Sequence, residues 1–208
     1  HSLDLTSDYS DDKRILTVVE NFENQFEKQL GKDMTKEEQL GIKRLVMQTY
    51  LRALALDKCA DHGMEALKSL DNSYIRENTM YALLKTGRYE ECLKLAEETQ
   101  GGTDPAPLYY AAAATLESED FDASVEYALE LAKQVKTSEY PKKADELLHA
   151  YLSLLVVDTE TTKAKYSRLS EEQINKLGSD GFLRNYLEAY VNACYPSYGG
   201  HSIYDAAY

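Results

Sequence analysis

Apolar residues recur every three to four positions along most of this chain. Nowhere do they alternate with period two between turn residues, as a half-buried strand requires. A chain patterned this way builds a core by laying the apolar stripes of helices against one another. The sequence therefore predicts an all-α protein. Its length corresponds to about 1.4 typical domains, and 43% hydrophobic with 28% charged residues suits a globular chain. A flexible segment is expected over residues 1–9, a single helical domain over 10–194 and a tyrosine-rich tail over 195–208.

Caps and stops divide the pattern into helices. Ile15, Val18, Val19, Phe22, Phe26 and Leu30 mark a first helix closed by Gly31. Thr35 with Glu38 forms a capping box for a second helix, whose stripe runs through Leu40, Ile42, Leu45, Val46, Tyr50, Leu51 and Leu54. The pattern is expected to break at His62 and Gly63, leaving a short helix near Met64 to Leu70. Tyr74 to Lys85, a stop at Gly87 and Tyr89 to Glu98 then read as a helical hairpin. After a loop at Gln100 to Pro107, with Asp104 as cap, a second hairpin runs from Leu108 to Leu116 and from Phe121 to Val135. Helices follow at Pro141 to Val156 and Thr161 to Leu169, then one capped by Ser170 with Gln173, and a last one after Gly181.

The two hairpins carry related signatures. Leu83 to Ala96 places Gly87 in the inter-helix turn, Tyr89 two residues later and Cys92 where the helices touch. The second copy offers Ala112, Phe121, Ser124 and Ala128 at comparable places, with Glu119 where the first has its turn glycine. Over residues 73–136 the chain resembles the tetratricopeptide-repeat family, in which each helical pair buries its face against its neighbours. The resemblance implies a right-handed superhelix of antiparallel hairpins with capping helices. It also implies a concave face on the first helix of each pair, which here would present Tyr74, Glu77 and Tyr81, and then Tyr109. Glu77 and Tyr81 stand where chaperone-binding members carry a lysine and asparagine clamp, so that specialised role is not expected.

Charge narrows the function. Thirty-six Asp and Glu against 23 Lys and Arg leave −13, which repels nucleic-acid phosphates and selects for neutral or basic protein partners. The longest apolar run, Tyr109 to Leu116, is far shorter than a membrane span, so direct membrane insertion is not expected. Cys59, Cys92 and Cys194 are widely spaced in apolar helical contexts, read as free thiols that favour a cytoplasmic setting. A chain beginning at His1 leaves export or an upstream anchor open.

Sequence patterns for catalysis are sparse. Glu146 and His149 make one Glu-x-x-His half-motif of a di-metal site, with no second copy. Cys59 and His62 have the spacing of two zinc ligands, but a structural site needs four. Phosphate loops and nucleophile elbows are missing from the sequence. The expectation is a non-enzymatic interaction module without cofactor or metal, docking a partner peptide or helix on the face of Tyr74, Glu77, Tyr81 and Tyr109. Seventeen tyrosines and no tryptophan add weight, since tyrosine offers a rigid face and a polar tip at low entropic cost. Two alternatives stand beside it. One is a helical domain of a larger envelope or regulatory protein that binds or senses a small ligand; the other is an enzyme built on scattered carboxylates.

Overall fold

The computed structural model describes residue 14 and residues 16–21, 23–25, 34–99, 102–155, 168–179, 181 and 183. All regular structure among them is helical, with no strand. The Cα packing groups the chain into two compact units, His1–Arg88 and Tyr89–Tyr208, dividing it in the turn between the helices expected to form the first hairpin.

In the first unit, residues 16–21 and 23–25 are helical and precede α1 (Lys36–Arg52), α2 (Leu56–Leu67) and α3 (Ser73–Lys85). The capping box forms as the sequence requires: Glu38 N–H donates to Thr35 Oγ1 at 3.2 Å, and Thr35 N–H donates to Glu38 Oε2 at 2.8 Å. Asn72 caps α3 by accepting from Tyr74 and Ile75 N–H. Val46, Met47 and Tyr50 of α1 meet Cys59, Ala60 and Ala66 of α2 and Ile75, Met80 and Leu83 of α3 in a closed core.

Two expectations fail in this unit. The helix does not break at His62 and Gly63, because α2 runs through both. Gly63 is a packing residue there: a Cβ on it would overlap Thr79 Oγ1 and lie 3.1 Å from Met47 Cε, so its bare backbone lets α3 approach α2. Leu54 does not extend the α1 stripe either. The helix ends at Arg52, and Leu54 turns left-handed (φ 54°) with 79% of its surface exposed.

That ending recurs. After α1, Leu54 N–H donates to Leu51 C=O and Ala55 N–H to Tyr50 C=O; after α3, Gly87 donates to Leu84 and Arg88 to Leu83. In the second unit, Glu119 donates to Leu116 and Asp120 to Thr115. All three closures need a residue at positive φ, a conformation cheap for glycine and strained for leucine or glutamate.

The second unit comprises α4 (Tyr89–Thr99), α5 (Ala106–Glu117), α6 (Phe121–Thr137), α7 (Pro141–Leu155) and α8 (Glu171–Ser179). Each helix from α4 to α7 packs on the next, and α6 also meets α8. Asp104 starts α5, its carboxylate accepting from Ala106 N–H at 3.0 Å. Within α5 every residue from Ala106 to Leu116 except Tyr109 is buried. Four consecutive alanines let α4, α6 and α7 close around it.

The expected small-residue contact between α5 and α6 is present. Ala112, Ser124 and Ala128 are fully buried, and Ser124 Oγ donates to Ala112 C=O at 2.8 Å while pairing with Tyr151 Oη of α7 at 2.8 Å. Burial pushes the Tyr151 phenol up to about 12, so it is a neutral donor at any physiological pH. The second capping box also forms, between Ser170 and Gln173. Arg168 grips Glu117 through both guanidinium nitrogens, at 2.6 and 3.1 Å. The expected helix at Thr161 to Leu169, the apolar stripe after Gly181, residues 1–9 and the tail at 195–208 lie wholly or largely outside the described residues.

Candidate functional site

Tyr74, Glu77 and Tyr81 fall at i, i+3 and i+7 of α3 and so share one helix face. Tyr74 and Glu77 are half-buried, whereas Tyr81 is 38% exposed. Cations flank both rings: the Arg44 guanidinium lies 4.5 Å from the Tyr74 centroid and Lys85 Nζ 6.0 Å from that of Tyr81. Three of the four candidate docking residues therefore sit together on the first unit.

Tyr109 belongs to the second unit. It is half-buried, packs against the core formed by α5, α6 and α7, and meets the Tyr110 ring edge-on at 5.0 Å. Truncating it would disturb packing as well as any surface it offers.

A cluster that sequence reasoning missed lies under the leading helical segment. Glu23 accepts from Tyr50 Oη of α1 at 2.5 Å and pairs with His62 Nδ1 of α2. Burial raises the carboxyl pKa, but hydrogen bonds from His62 and Tyr50, with the charges of His62 and Lys43, outweigh it and hold the group below its ordinary value. The Tyr50 and His62 rings meet edge-on at 6.0 Å. Among the described residues His62 Nε2 is buried without a hydrogen-bond partner. The cluster ties three helical segments together, and no local sequence pattern marks it.

The first candidate ligand pair, Cys59 with His62, comes apart. His62 turns to Glu23, whereas Cys59 is sealed in the core with its thiol directed at Met47 C=O (3.9 Å). Burial pushes the thiols of Cys59 and Cys92 up to about 11 and 12, leaving both protonated and unreactive. Glu146 and His149 are exposed on α7. No group of three potential metal ligands occurs among the described residues. A shallow cleft of about 280 Å³ opens between the start of α1 and the α2–α3 turn, lined by Lys36, Leu40, Leu70 and Asp71, at the small end for a ligand site. No helix among the described residues is long and apolar enough to cross a membrane.

Comparison with protein-family models, with curated proteins and with solved structures finds no match.

Proposed function

We propose that this chain is a non-enzymatic interaction module with tetratricopeptide-like hairpins that docks a neutral or basic partner segment through the tyrosine-bearing face of α3. The observation carrying this reading is Tyr81: a large ring left exposed on a helix whose other large apolar side chains are mostly inside. Tyr74 and Glu77 extend the same face, and rings braced by cations lose little further freedom on binding. Affinity would come from burying these rings, with the excess negative charge steering a basic partner at low salt.

The test is capture of a partner from the source cells by the wild-type chain, followed by calorimetry of the identified partner against Tyr81→Ala. If Tyr81 is an anchor, the variant loses about 1–3 kcal/mol of binding with unchanged helicity by circular dichroism. Equal affinity for both proteins overturns the assignment. Tyr109→Ala is the less clean variant, because Tyr109 packs against the core of its unit, whereas Tyr81 leaves more than a third of its surface exposed.

A further inference from the structure

The solvent face of α1 breaks the composition of the rest of the chain. From Gln39 to Leu56 there is no Asp or Glu, while Lys43, Arg44 and Arg52 supply three cations, in a protein of net charge −13. Between Gln39 and Arg52 the exposed positions of α1 are Gly41, Arg44, Leu45, Gln48 and Arg52, spaced as a single helical stripe that begins one turn after the exposed Glu37 and Glu38. Neither Arg44 nor Arg52 pairs with a carboxylate among the described residues; Arg44 instead lies over the Tyr74 ring.

Three features of this region weaken folding, and no contact among the described residues repays them. Leu45 leaves 53% of its surface in water. Gly41 sits in the helix, where glycine is a poor former, yet no described residue lies within 4 Å of where its Cβ would be. Leu54 occupies a left-handed closure that prefers glycine, and its side chain is the most exposed large hydrophobic described. Local rules broken without an internal gain point to a use outside the fold.

We propose that the α1 face, Gly41, Arg44, Leu45, Gln48 and Arg52 with Leu54 beyond it, docks an acidic amphipathic helix of a partner protein. Leu45 and Leu54 are the apolar anchors. Gly41 admits the partner backbone closely, and Arg44 and Arg52 pair with carboxylates flanking its apolar stripe. The charge is opposite to what the α3 face would take, so the two faces, which meet where Arg44 lies over the Tyr74 ring, differ in partner chemistry. A membrane fits less well, because two leucines bury little area in lipid.

The probe is a fluorescein-labelled synthetic helix with leucines at i, i+3, i+4 and i+7 and glutamates elsewhere, titrated against the full 208-residue chain by anisotropy. The expected result is saturable binding that weakens with added salt, falls at least tenfold with Leu45→Glu and with Arg44→Glu/Arg52→Glu, and is absent for a lysine version of the peptide. Leu54→Gly and Gly41→Ala guard against misfolding, since both relieve a backbone penalty. Each should raise the thermal unfolding midpoint while weakening the peptide. No saturable binding, or binding indifferent to all these substitutions, overturns the proposal. So does flotation with phosphatidylserine vesicles that Leu45→Glu abolishes, which would assign the face to lipid. Sedimentation showing a dimer dispersed by Leu45→Glu would assign it to a second copy and overturn it equally.

Discussion

Helices α1 and α5 follow opposite strategies. In α5 nearly every side chain is enclosed, and its alanines let neighbours approach from several sides. In α1 one stripe, Val46, Met47 and Tyr50, reaches the core, while Leu45 on the facing stripe stays in water. Their periodicity differs accordingly: α5 is apolar all round, the signature of a buried helix, and α1 is mixed. The same residue type thus has different value in the two places. A leucine in α5 holds the unit together, whereas one on the outer face of α1 is available to something else.

The sharpest test of that contrast is Leu116→Ala in α5, which should cost about 2–5 kcal/mol in chemical denaturation of the full chain. Gly63→Ala comes next. Its new methyl displaces the Thr79 hydroxyl, which donates to Ile75 C=O at 2.6 Å, and should cost about 1–3 kcal/mol by overpacking. A smaller effect is expected from acid. The Glu23 carboxyl is depressed in the folded state, so its contribution is present above the ordinary carboxylate range and is lost as pH falls through the folded value. The protection factors of the α1 amides near Tyr50, corrected for intrinsic exchange, should fall as pH drops below the ordinary carboxylate range, and Glu23→Gln should flatten that dependence. Glu119→Gly should stabilise the second unit by about 1 kcal/mol, read as a raised unfolding midpoint, because glycine adopts φ 66° without strain. Leu45→Ala closes the series with a change within about 0.5 kcal/mol. A loss as large as that of Leu116→Ala would erase the distinction between the two helices.

Much of the fold was legible because its signals are local. Thr35 with Glu38, Ser170 with Gln173, and Gly87 act within a few residues, and each does in the structure what its spacing implies. The α5–α6 pair was legible for the same reason, down to Ser124 against Ala112. Gly63 misled because a glycine that ends a helix and one that admits a neighbour look alike until the neighbour is known; here it is Thr79. Leu54 fitted the apolar spacing of α1, but spacing does not reveal that the helix closes two residues earlier. On the candidate site, the i, i+3, i+7 set of α3 was readable. The Glu23, Tyr50 and His62 cluster was not, since its members come from three helical segments whose juxtaposition is tertiary.

The packing of each helix from α4 to α7 on the next one in the chain bears on how quickly the second unit acquires its structure. Contacts between sequence neighbours require only short loops to close before they are rewarded. Helical domains wired in this way reach the native state in about milliseconds or less. The α5–α6 hairpin, with its short turn at Ser118–Asp120 and its alanine seam, is expected to form early, and the Tyr151–Ser124 hydrogen bond joins α7 to it.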